Sequence, residues 1–136
     1  GRVFPESGSD KGFHPASHHG ALDEEILEFA KINAYHVSLL PYLLERLKGV
    51  QEGDSTLLEK TMIIYGSPMG DPNVHNHRRV PFLLFGGANG KLKGNMHLRA
   101  PDGTPLANVM LDMLNKLGVN DIEKFEVPER RCTGGM

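Results

Sequence analysis

Two short, continuous apolar runs joined by a polar loop constrain the fold of this chain more than any other feature. Residues 61–65 (TMIIY) and 81–85 (PFLLF) are each followed by a glycine. Runs of this length without polar alternation are typical of strands that are buried on both faces, as in a parallel sheet. Because helical patterns precede and follow them, we predict an α/β fold with a parallel or mixed sheet flanked by helices.

The helical patterns have recognisable ends. Asp23 is the predicted cap of a long helix that runs to about Lys48, and Pro41 inside this pattern is expected to kink it. A last helix is predicted to end at Gly118, the residue type that most often terminates helices. Residues 95–99 are predicted to form a third strand.

Composition limits the class of function. The chain has 136 residues and a formal net charge of -2, so it lacks the basic surface that nucleic-acid binding requires. No apolar run approaches the roughly 18 residues of a membrane span, and we expect a soluble protein. Cys132 is the single cysteine, which excludes a disulfide framework and a cysteine zinc site.

The chain is predicted to have three parts. Residues 1–13 are rich in glycine, serine and charge without periodicity, and they predict a flexible arm. Residues 14–125 predict a single α/β domain, and residues 126–136 (EVPERRCTGGM) predict a divergent tail.

Five of the seven histidines fall into two tight clusters, at residues 14–19 (HPASHH) and 71–77 (DPNVHNH). If residues 14–18 form one helical turn, His14 and His18 face the same way, and two imidazoles at that spacing can chelate one ion. His19 then points elsewhere and is expected to contact substrate or a metal ligand.

The second cluster lies in the loop between the two apolar runs, where ligands gather in open α/β sheets. Asp71, His75 and His77 are therefore candidate site residues, although a solvated loop with the same composition is the alternative. His36 lies on the apolar stripe of the long helix, and it is either a hydrogen-bonded core residue or a group that orients a ligand. His97 is the weakest candidate.

At these residues the chain resembles a bacterial family of uncharacterised, typically exported proteins named for its HXXSHH motif. The resemblance covers residues 10–125 approximately. It is carried by residues 14–19 (HPASHH), 30–37 (AKINAYHV), 65–71 (YGSPMGD), 73–77 (NVHNH), 80–87 (VPFLLFGG) and 101–106 (PDGTPL).

The family is itself distantly similar to the alkaline phosphatase and sulfatase superfamily. This resemblance implies an alkaline-phosphatase-like fragment with a divalent metal held by His14, His18 and either His75 or His77. Zn²⁺ is expected and Mn²⁺ is the alternative, with three protein ligands and one open position. The resemblance also implies an exported or periplasmic location.

The chain lacks the amino-terminal part of that superfamily fold, so we expect a truncated piece that uses metal-bound water rather than a covalent nucleophile. Asp71 and His19 are the expected catalytic groups, acting on a small-molecule ester such as a phosphate ester. Exposed sheet edges favour a homodimer or higher homo-oligomer. Two alternatives stay open: a non-catalytic metal-binding module, and an oligomerisation module whose histidines only form hydrogen bonds.

Overall fold

The computed structural model describes residues 1–125, and the predicted tail at residues 126–136 lies outside them. In the described part, the helices are α1 (Phe13–Ser17), α2 (Asp23–Ser38), α3 (Leu40–Lys48), α4 (Leu57–Lys60) and α5 (Leu106–Leu117), and the strands are β1 (Gln51–Glu52), β2 (Ser55–Thr56), β3 (Ile63–Gly66) and β4 (Phe82–Phe85). This confirms the predicted mixture of helix and strand. None of these helices has the length and apolar character needed to span a membrane.

Both sheets of the described residues are two-stranded and antiparallel, so the prediction of parallel pairing was wrong. β1 pairs with β2, and β3 pairs with β4 in a register that places Ile64 opposite Leu84. Parallel neighbours need a long crossover, usually a helix, whereas β3 and β4 are joined by a loop without one. Ile64 and Leu84 are both exposed, so these strands are not buried on both faces as the apolar runs suggested.

The predicted third strand at residues 95–99 is also absent from the described chain. Asn95 has a left-handed backbone (φ +58°), which interrupts the extended conformation that a strand needs. No neighbouring strand pairs with this exposed segment in the described residues. Its apolar residues therefore belong to a loop.

The expected kink in the long helix is confirmed as a break between α2 and α3 at Leu39. Pro41 occupies the first turn of α3, where a missing N–H costs nothing because that group would lack a helical partner. The acidic residues Asp23, Glu24 and Glu25 fill the first turn of α2, where the helix dipole favours negative charge.

The short helix α4 is fixed at both ends. Thr56 and Glu59 form a reciprocal capping box at its start. At its end, the Gly87 N–H donates to the carbonyl of Leu58, and the Ala88 N–H donates to the carbonyl of Thr61. A Cβ atom on Gly87 would lie 2.4 Å from the Glu59 carbonyl oxygen, so only glycine permits this close approach.

The described contacts divide the chain into two compact units, residues 1–96 and residues from His97 onward. In the first unit, α1 packs on α2, and Ile32 of α2 is fully buried. Residues 1–12 precede α1 and contain a 3-10 helix at Pro5–Ser7. Val3 bridges Gly12, and the Phe4 ring centre lies 4.5 Å from that of His36. The second unit contains α5, whose Met113 is buried and whose end at Gly118 is left-handed, as predicted.

Candidate metal centre

The first histidine pair is placed by α1 and the residue that ends it. Gly12 precedes the helix in an extended conformation, and His18 leaves it with φ -95° and ψ 60°. The Ser17 hydroxyl donates to the His14 carbonyl over 2.8 Å, which ties this turn together. The rings of His14 and His18 lie with centroids 4.9 Å apart, which is the adjacency that the four-residue spacing predicts.

The second histidine cluster lies in a tight loop between β3 and β4. The Asn76 N–H donates to the Asp71 carbonyl (2.8 Å), and the Gly70 N–H donates to the Asn76 carbonyl (2.8 Å). Within the loop, the His75 N–H donates to the Pro72 carbonyl (3.2 Å), and His75 adopts a left-handed backbone with φ +52°. Non-glycine residues in this conformation are uncommon and cluster at functional sites.

This loop brings His75 to the first pair. The centroids of the His18 and His75 rings are 5.0 Å apart, so the His18 ring has a histidine neighbour in each cluster. All three rings belong to exposed residues, which leaves them accessible to a solvated ion.

The ring separations can be compared with those around a tetrahedral metal. In a tetrahedral site, each imidazole has a Zn–N bond of about 2.0 Å and a distance of about 1.1 Å from that nitrogen to its ring centre. Two such imidazoles therefore have ring centres roughly 5 Å apart. The separations of 4.9 and 5.0 Å fit this value. As the side chains are arranged, no group of three or more His, Cys, Asp or Glu in residues 1–125 could hold an ion.

His19 faces away from this trio and towards Asp71. Its Nδ1 accepts a hydrogen bond from the Ala21 N–H (3.1 Å), so the neutral ring carries its proton on Nε2. Nε2 lies 4.0 Å from Asp71 Oδ1. The His19 side chain is 14% exposed and that of Asp71 is 48% exposed, so the pair is reachable from solvent on the carboxylate side.

The other histidines lie elsewhere. The His77 Nδ1 donates to the Pro68 carbonyl over 2.8 Å, which uses this ring to close the loop. His36 lies in an aromatic cluster with Phe4 and Phe13, at ring separations of 4.5 and 5.3 Å. His97 is exposed in the second unit.

Sequence reasoning missed one residue that joins the two clusters. The Gly20 N–H donates to the side-chain Oδ1 of Asn73 over 2.8 Å. Asn73 follows Asp71 and Pro72, a combination that predicts a turn, but a turn signal carries no information about a distant partner.

The chain matches no protein-family model, no curated protein and no solved structure.

Proposed function

We propose that this chain binds a divalent metal ion through His14, His18 and His75 and hydrolyses phosphate or other esters. One observation carries the proposal: the His18 ring lies beside the His14 ring on one side and beside the His75 ring from the distant loop on the other. Imidazole suits Zn²⁺, and it also accepts other divalent ions, of which Mn²⁺ is the alternative.

In the proposed chemistry, the bound ion and the side chains of the protein have different roles. A bound divalent ion would supply Lewis-acid activation of water near neutral pH. Asp71 would accept a proton from that water, because its carboxylate is 48% exposed. His19 would orient this carboxylate through its Nε2–H, since its Nδ1 already accepts from the Ala21 N–H. The present 4.0 Å separation would shorten on substrate binding, as catalytic hydrogen bonds often do.

We also propose that the chain is related to the HXXSHH-motif family and that it is a fragment of the alkaline phosphatase and sulfatase fold. Its support is the combination of a helical His14–His18 pair with a histidine from a later loop before a strand, which is the arrangement that the resemblance implies. An exported or periplasmic location belongs to the same proposal. His75 is the third ligand in this proposal because its ring centre lies 5.0 Å from that of His18.

Metal content tests the binding step. The purified protein, dialysed against Zn²⁺ or Mn²⁺ and then against buffer, should retain about one ion per chain in elemental analysis. We expect His14→Ala, His18→Ala and His75→Ala to lose it. His77→Ala and His97→Ala are the matched controls and should keep it. Equal metal content in all five variants, or none in the parent, would reject this ligand set.

Turnover tests the catalytic step separately. Hydrolysis of a phosphate-ester and carboxylate-ester panel should stop on chelation and return with Zn²⁺ or Mn²⁺. Asp71→Asn should lower turnover by about 10²-fold or more, the usual contribution of general acid–base catalysis, while metal content is unchanged. A parent protein that binds metal and melts at a lower temperature on chelation, but turns over no ester, would identify the non-catalytic metal-binding module.

A further inference from the structure

The hydrogen bond between Asn73 and Gly20 is the only one that joins residues 12–22 to the loop of residues 67–81 in the described chain. The His18–His75 ring pair and the His19–Asp71 pair cross the same boundary, at 5.0 Å and 4.0 Å. The first is a contact between ring faces and edges without a hydrogen bond, and the second is longer than a hydrogen bond, so both tolerate displacement. The relative position of the two segments therefore depends strongly on Asn73.

Both partners of this hydrogen bond are held in place. The Asn73 N–H donates to Asp71 Oδ1 over 3.0 Å, so the same carboxylate that faces His19 also fixes the start of the Asn73 side chain. Gly20 and Ala21 are consecutive left-handed residues (φ +60° and +59°) in a turn closed by the Leu22 N–H and the His19 carbonyl. This is the pattern of a type I′ turn.

We infer that Asn73 is a positioning residue, which docks the His75 loop on the His19–Leu22 turn and thereby assembles the three-histidine site and the His19–Asp71 pair. The inference rests on the proposed function where its test measures affinity for Zn²⁺. The test by amide exchange and by contacts between the histidine rings is independent of that function.

The test compares Asn73→Ala with Asn73→Asp and with Asn76→Ala in the full chain. Asp keeps an acceptor oxygen at the same place, and we expect it to behave like the parent. Asn76 lies in the same loop, but its Oδ1 accepts from the Arg78 N–H and stays within the loop, which makes it the matched control. Circular dichroism and a thermal melt of each variant separate loss of docking from loss of folding.

Three readouts are expected to change in Asn73→Ala alone. The Gly20 amide should exchange with solvent faster than in the parent, and nuclear Overhauser contacts between the His18 and His75 rings should disappear. Affinity for Zn²⁺ should fall about tenfold or more, as it does when an outer partner of a metal ligand is removed. Unchanged Gly20 exchange and ring contacts in Asn73→Ala, or equal losses in Asn76→Ala, would overturn the inference.

Failure of the proposed function gives a different result. If the parent binds no Zn²⁺, the metal-site proposal is rejected, and the positioning role is decided by amide exchange and ring contacts in the metal-free protein. If the parent binds Zn²⁺ and Asn73→Ala binds it equally tightly with unchanged ring contacts, the positioning role is rejected and the metal site stands.

Discussion

A Cβ atom built on Gly70 would lie 1.8 Å from the carbonyl oxygen of Arg78. The two residues flank the base of the loop that carries His75, and the obstructing atom belongs to the backbone and cannot move aside as a side chain does. Glycine is therefore required at position 70 for the loop to close in its present form.

Gly70→Ala should open this loop and move His75 away from His18. We expect a loss of about 1–3 kcal/mol in the free energy of unfolding, the usual range for overpacking, measured by urea denaturation. Gly94→Ala is the control, because a Cβ there meets nothing within 4 Å. Equal stability of the two variants would show that the loop adjusts freely at its base.

The left-handed turn after the first histidine cluster gives a second prediction. A Cβ at Gly20 would also meet nothing within 4 Å, so any cost of Gly20→Ala comes from its backbone conformation at φ +60°. We expect a destabilisation of about 1–2 kcal/mol in urea denaturation. Gly20→Asn should recover part of it, because asparagine tolerates this conformation. A Gly20→Asn variant no more stable than Gly20→Ala would contradict this explanation.

The capping box of α4 predicts a pH dependence. The Thr56 backbone N–H and hydroxyl both donate to Glu59 Oε2, at 2.7 and 2.9 Å, and these hydrogen bonds lower the pKa of Glu59 below its ordinary value of 4.5. Because the folded-state pKa lies below the unfolded one, the stabilisation is present above pH 4.5 and is lost as the pH falls through the folded-state pKa.

The measurement compares the parent with Glu59→Ala by thermal melts across this acid range. The parent should melt at the higher temperature near neutrality, and the difference should shrink as Glu59 becomes protonated. Glu52→Ala changes an exposed carboxylate of β1 outside the capping box and is the control. A difference between parent and Glu59→Ala that is independent of pH would argue against a charged cap.

Self-association stays a prediction, and the β3–β4 sheet is the surface we expect it to cover. Ile64 and Leu84 are opposite each other in the register and are 45% and 38% exposed. Sedimentation should give a mass above the 15.0 kDa of one chain, rising with concentration. Leu84→Lys should lower that mass, because a charge opposes sheet pairing. Leu98→Lys, in the second unit, should not; equal masses for both variants and the parent would contradict a sheet-mediated contact.

Local patterns predicted α2, α3, α5, β3 and β4, but they did not predict α4 or the β1–β2 pair, and the strand predicted at residues 95–99 is absent. The break before Pro41 and the left-handed end at Gly118 both follow from backbone constraints that act within one turn of helix. The direction and the burial of the strands were predicted wrongly, because an apolar run does not indicate which strand it pairs with or how many elements cover it.

The candidate site was likewise predicted in part from local spacing. By itself, the sequence determined that His14 and His18 are neighbours, since residues four apart on a helical turn share a face. Only the tertiary structure decided that the His75 ring, and not that of His77, lies beside the His18 ring. That choice depends on the left-handed backbone at His75, the close approach of Gly70 to Arg78 and the hydrogen bond between Asn73 and Gly20. The last of these joins residues 53 apart in the chain, and no local spacing encodes it.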